Sequence, residues 1–245
     1  MDPKRLNHLH DLGLAAWAPR RGAAQAGAAR RAPVAHRPQP VAVTAPTAVS
    51  SDGRTRAIAG MDWIDLRAAV QACTICGLRA GCTQTVFGVG DERAKWFVVG
   101  EAPGAEEDRQ GEPFVGRAGQ LLNSMIAAIG LKREQVYIAN ILKCRPPNNR
   151  DPKPEEAELC RPHLERQLAL VKPQIILAVG RIAAQNLLHT DTTIGHLRGT
   201  VHKLGETPVV VTYHPAYLLR SPSEKRKAWD DLKLAMKVAR EARVS

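Results

Sequence analysis

Four short apolar runs punctuate the chain beyond residue 95: WFVVG, VYIANI, IILAVG and PVVVTY. Each is too short for a helix, rich in β-branched residues and apolar at successive positions, the pattern of a strand buried on both faces. Between them the spacing turns helical. MDWIDLRAAVQAC sets Trp63, Leu66, Ala69 and Val70 on one helical face, and RAGQLLNSMIAAIG, PEEAELCRPHLERQLALV, RIAAQNLLH and EKRKAWDDLKLAMKVAREA continue the alternation. Strands alternating with helices predict an α/β domain, a mainly parallel sheet covered on both faces. Ligands of such sheets gather beyond the carboxyl ends of the strands. GEAPG, NILKCRPP, GRIAA and HPAYLLR each follow a strand, so one edge is expected to collect all four.

The first 58 residues break this pattern. Ala, Pro and Arg dominate them without periodicity, which predicts a disordered N-terminal arm over residues 1–58 and a folded domain over 59–245. Residues 1–60 hold nine Lys/Arg against three acids and so more than half of the chain's net charge of +11. The arm reads as a solvated linker, as a basic segment that tracks DNA, or as an Arg-rich organellar targeting peptide. The charge makes nucleic acid the first partner expected. No run of about 18 apolar residues occurs, so a membrane span is not expected. Five cysteines, an odd number, without a signal peptide point to a reducing compartment, the cytoplasm.

Two features carry chemistry. GEAPGAEEDRQGEPFVGRAG packs acids among glycines and prolines, where a phosphate loop would hold none; GxGxxG and GxxxxGK[ST] are both absent. Cys73 and Cys76 form a C-x2-C, and Cys144 and Cys160 follow at longer range. Four converging thiolates suit zinc or an iron-sulfur cluster equally; scattered buried cysteines are the plainer alternative. Cys82 stands outside the set.

TICGLRAGCTQTVFGVG, GEAPGAEEDRQGEPFVGRAGQLL, YIANILKCRPPNNRDPKPEE and HPAYLLR, in that order, resemble the family 4 uracil-DNA glycosylases, the iron-sulfur branch of their superfamily. The resemblance runs from Cys73 to the final helix. It implies a three-layer α/β/α sandwich around a four-stranded parallel sheet, a 4Fe-4S cluster on Cys73, Cys76, Cys144 and Cys160, and uracil-containing DNA, single- or double-stranded, as the partner of a monomeric, monofunctional enzyme in DNA repair. NILKCRPPNN passes directly to the next helix, without the His-bearing insertion of a DNA-crosslinking relative.

The chemistry assigns candidates to that template. Extrusion of a base needs an aromatic floor, for which Phe114 is the candidate, and an apolar wedge, for which Leu218 and Leu219 with Arg220 follow HPA. Uracil presents N3–H and O4, a pair that the amide of Asn140 complements. His214 resembles the family histidine that donates to O2. Glu101 resembles the motif glutamate and is expected to place water or stabilise the sugar cation. Glu107 resembles a second acidic position facing uracil C5, and Ala102 stands where better-studied relatives carry an aspartate. Asp108 and Glu112 are expected to fix the loop or sit in solvent. Lys143 is expected at phosphate rather than as a nucleophile, with Arg145 and Arg150 also reaching the DNA backbone. An iron-sulfur module that docks without chemistry is the rival reading, and it has no need of Phe114, Asn140 and His214 together.

Overall fold

The computed structural model describes residues 51–242. The expected arm lies outside the described residues except at its end, where Ser51–Ala59 is helical (α1). This helix shows no apolar periodicity of its own. It is held from outside: Ile58 is buried, and Arg54 donates to Leu159 O at 3.0 Å and contacts His163 Nε2 at 3.0 Å. Tertiary contact, not local pattern, orders these residues.

After α1 come α2 (Trp63–Gln71), β1 (Val89–Gly90), β2 (Trp96–Gly100), α3 (Ala105–Gln110), α4 (Arg117–Ala128), β3 (Tyr137–Asn140), α5 (Pro154–Val171), β4 (Ile175–Val179), α6 (Arg181–Leu188), α7 (Ile194–Leu197), β5 (Val201–Leu204), β6 (Thr207–Thr212), α8 (Pro215–Arg220) and α9 (Lys225–Glu241). The sheet has six strands in the order β1-β3-β2-β4-β6-β5. Its central four, β3-β2-β4-β6, are parallel as the apolar runs predict. Two antiparallel edge strands, β1 and β5, enlarge the expected four-stranded sheet. Neither carries an apolar run: β1 has two residues, and VHKL of β5 alternates exposed with half-buried positions.

Alternation along the central strands divides the core in two. Trp96, Val98, Ile138, Leu177 and Val210 pack against α4, α8 and α9. Phe97, Val99, Ala139, Ile176 and Val211 face α5, α6 and α7. The result is an α/β/α sandwich in which every parallel strand ends at one edge: Gly100 pairs with Asn140, and Val179 with Thr212. The helices start from conventional signals. Asp62 caps α2 by accepting from Asp65 N at 2.9 Å, and α5 opens with Pro154, its Glu156 reaching back to Lys153 N at 2.9 Å.

Candidate active site

Two missing side chains shape the strand edge. A Cβ on Gly100 would lie 2.4 Å from Asn140 Oδ1 and 2.5 Å from Phe114 Cζ, so only glycine lets the amide and the ring close over the end of β2. Gly180, which follows β4 at φ +100, does the same for His214, whose Cβ would be 2.9 Å away from an added methyl. The rings of Phe114 and His214 stand 5.7 Å apart at 31°. One cluster thus holds Phe114, Asn140 and His214, drawn from three separate stretches of chain.

Phe114 has φ 55, a left-handed backbone that bulky residues rarely adopt and that surrounding contacts must enforce. Glu107 supplies one set: Oε1 accepts from Val115 N at 2.9 Å and Gly116 N at 3.0 Å, and Oε2 from Gly104 N at 3.1 Å. Its carboxylate braces the turn that carries Phe114. Arg133 supplies the other, donating to Pro113 O (2.6 Å), Phe114 O (3.3 Å) and Asn123 Oδ1 (2.9 Å). Asp108 is buried and accepts from Thr83 N, Thr83 Oγ1 and Gln84 N at 2.8 to 3.3 Å, fixing the loop as expected of it.

Asn140 is 2% exposed, and its Oδ1 has no hydrogen-bond partner. A buried acceptor without a donor costs on the order of 1–3 kcal/mol, a cost a ligand N–H would remove. The main chain beneath it is secured from the interior: Lys143 Nζ donates to Asn140 O at 2.9 Å and to Gln167 Oε1 at 2.6 Å, and Gln167 Nε2 donates to Phe87 O and Tyr137 Oη. Lys143 is therefore a buried strut, 2% exposed, and not the phosphate contact expected from sequence. Arg150 is paired through its two terminal guanidinium nitrogens, Nη1 and Nη2, with Glu156 at 2.8 and 2.6 Å. Arg145 donates to Asn149 Oδ1 at 2.7 Å.

His214 caps α8, its Nδ1 accepting from Ala216 N at 3.2 Å. A ring nitrogen that accepts carries no proton, so the proton sits on Nε2. Burial pulls the imidazole down to about 4, with Arg220 adding to the shift and Glu107 opposing it. His214 is a neutral donor at physiological pH. Burial, reinforced by Asp151 and opposed by Arg181, pushes the Glu101 carboxyl up to about 7. Arg181 and Asp151 are themselves paired at 2.7 Å.

Ala102 packs against the buried cluster that Leu78, Cys82, Leu142, Cys144 and Cys160 form. An aspartate there would set a carboxylate against buried thiols, a physical reason for alanine at this position. Leu218 departs from expectation: it is 1% exposed and belongs to the core beneath α8, because a six-residue helix starting at Pro215 turns it inward. Leu219 is 38% exposed, and Arg220 beside it faces solvent.

Cys73, Cys76, Cys144 and Cys160 line one cavity with Leu78, Leu142 and His163. Among the described residues no three His, Cys, Asp or Glu side chains stand close enough to hold a single metal ion. The backbone N of Lys143 donates to Cys160 Sγ at 3.3 Å. Burial pushes the Cys160 thiol up to about 11 and raises Cys144 as well, so thiolates form here only with positive charge at hand.

Gly100, Gly180, Arg133 and Lys143 were not singled out as site-builders from the sequence. Glycines directly after two buried strands are the one signal that points to such close approaches.

Residues 87–233 match the profile of the Uracil DNA glycosylase superfamily. The chain is 47% identical over 177 residues to the type-4 uracil-DNA glycosylase of Archaeoglobus fulgidus, spanning 69% of this chain and 89% of that relative. It is 43% identical over 158 residues to the type-4 enzyme of Thermotoga maritima, spanning 64% and 82%. A type-5 enzyme of Pyrobaculum aerophilum is more distant, 33% identical over 146 residues. With motifs, fold and relatives in agreement, the chain belongs to the type-4 branch of the uracil-DNA glycosylase superfamily.

Proposed function

We propose that the protein extrudes uracil from DNA and hydrolyses its N-glycosidic bond, leaving an abasic site and opening base excision repair. The observation that carries this reading is the unpartnered Asn140 Oδ1, set at one sheet edge with a neutral histidine and a buried aromatic ring. Asn140 Oδ1 accepts uracil N3–H while its amide donates to O4; cytosine reverses that pattern and leaves both groups unpaired. Phe114 supplies the face on which the extruded base stacks, a contact of about 1–3 kcal/mol that offsets much of the few kcal/mol of unstacking. As the bond to C1′ lengthens, negative charge grows on the base. His214 Nε2–H donates to O2, with no proton surrendered from an already neutral ring. The sugar becomes cationic, and Glu101, ionised, stabilises it and orients water from the other side. Lys143, buried and bonded to Asn140 O and Gln167, is unavailable for a Schiff base, which supports simple hydrolysis without strand cleavage.

The direct test is an oligonucleotide with a single uracil, incubated with the protein and treated with alkali. Cleavage at the uracil position is expected; intact DNA that the protein still binds would replace the enzyme with a docking module. The pH dependence follows from Glu101. Its carboxylate is the working form, so the rate is expected to rise about tenfold per pH unit below about 7 and to level off above it. Glu101→Gln should lower the plateau and remove the rise. An unchanged profile in that variant would withdraw the role.

Gly100→Ala is expected to lower excision about 10²-fold, since a displacement of Phe114 and Asn140 by one methyl exceeds what a reacting geometry tolerates. Parent-like kinetics in the variant would show that the close approach is dispensable.

The four thiols fit a 4Fe-4S cluster held by Cys73, Cys76, Cys144 and Cys160. When bound it supplies a rigid crosslink between the segment after α2, the exit of β3 and the middle of α5. Brown absorbance that acid bleaches, and its loss in Cys144→Ser, are expected; a colourless protein that releases zinc would reassign the site.

A further inference from the structure

Helix α8 carries an aromatic ring on its outer side. Tyr217 is 37% exposed, three residues beyond His214, and its backbone N donates to His214 O at 2.9 Å. The ring is not free to wander. It rests on the Tyr213 ring, centroids 5.0 Å apart at 39°. Tyr213 packs on the core and carries the Arg198 guanidinium 5.1 Å from its centroid. Arg198 in turn donates to both carboxylate oxygens of the buried Asp231, at 2.9 and 3.1 Å. A stack anchored in an internal ion pair thus surfaces beside the histidine of the site.

We propose that Tyr217 is a stacking platform for the DNA base adjacent to the extruded uridine. The inference rests on the reading of this edge as the uracil site. Its physical basis is threefold. The ring is already ordered, so binding costs little further side-chain entropy. Cations follow it in sequence, Arg220, Lys225 and Arg226, the aromatic-plus-basic combination that suits a nucleic acid strand. Every base offers a π-face, so the contact ignores sequence, as an enzyme that must accept uracil in any context requires. Leu219, also exposed, is left as the apolar element that enters the gap in the duplex.

The test uses the full chain and the variants Tyr217→Ala, Tyr217→Leu and Tyr217→Phe. Each is titrated with DNA that carries a tetrahydrofuran abasic analogue flanked by 2-aminopurine. Tyr217→Phe is expected within about twofold of the parent, with the 2-aminopurine quench retained. Tyr217→Ala and Tyr217→Leu are expected to bind about 5- to 150-fold more weakly, the span of one base–aromatic stack, and to lose the quench. Leucine keeps an apolar surface on Tyr213, so it preserves α8 where alanine loosens it. Parent-like affinity and quench in the leucine variant would overturn the platform, as would a phenylalanine variant as weak as alanine. A parent protein that releases no uracil would instead remove the underlying reading, and the two failures are told apart by that control.

Discussion

Asn140→Asp is expected to lower uracil excision on the order of 10⁴-fold, the discrimination reached when a site built around a hydrogen-bond pair faces a mismatched partner. The substitution is nearly isosteric, so packing survives. The donor to O4 is lost, and an ionised carboxylate would sit where the leaving base gathers negative charge. Position 140 is 2% exposed, so burial raises the new acid's pKa. In its protonated form it regains one donor beside its acceptor. The ratio of variant to parent activity is therefore expected to climb as pH falls, although the parent itself slows with protonation of Glu101. Single-turnover excision over a pH series measures this directly. A ratio independent of pH would mean that Asn140 acts by shape and not by its donor and acceptor.

His214→Ala ranks second, with an expected loss of about 10²–10³ in the single-turnover rate, the worth of one preorganised donor to a developing anion. His214→Gln, which offers an N–H of comparable reach, should recover part of it. Because burial holds the imidazole down to about 4, the deficit should be the same from weakly acidic to alkaline pH. A deficit that shrinks as pH rises through the ordinary histidine range would show that the cation does the work. Nitrogen NMR of the ring provides an independent check, with the proton expected on Nε2.

The sequence made the interior legible and the exceptions obscure. Strands β2, β3, β4 and β6 are buried on both faces and announce themselves as apolar runs, and parallel strands of one sheet must deliver their following loops to one edge. That rule places the loops bearing Asn140 and His214 at one edge, while the resemblance to the family assigns Phe114 to the same site. The edge strands escaped because pairing on one side alone leaves no compositional trace in two residues or in VHKL. Leu218 escaped because a leucine pair after a turn does not reveal which member points inward. The burial of Lys143 and the bracing contacts of Glu107 elude the sequence for a shared reason: charge implies solvent or ligand unless a long-range partner is known. Their partners, Gln167 and the amides of residues 104, 115 and 116, are set by the fold. Helix α1 lay hidden inside an unpatterned stretch because its order derives from contacts with α5.

The left-handed turn at Phe114, clamped by Glu107 on one side and Arg133 on the other, has an energetic consequence for the substrate. Five hydrogen bonds to its main chain and to Gly104 hold the turn, so the wall it forms does not adapt to what enters. Deformation then falls entirely on the nucleic acid. The order of substrates is then expected to follow how cheaply each releases a nucleotide, with unpaired strands ahead of wobble mismatches and those ahead of matched pairs, an order that single-turnover excision of uracil from each substrate would check. On that expectation an unyielding protein surface acts as a gauge of helix weakness, sorting lesions by the stability of their surroundings before their chemistry is read.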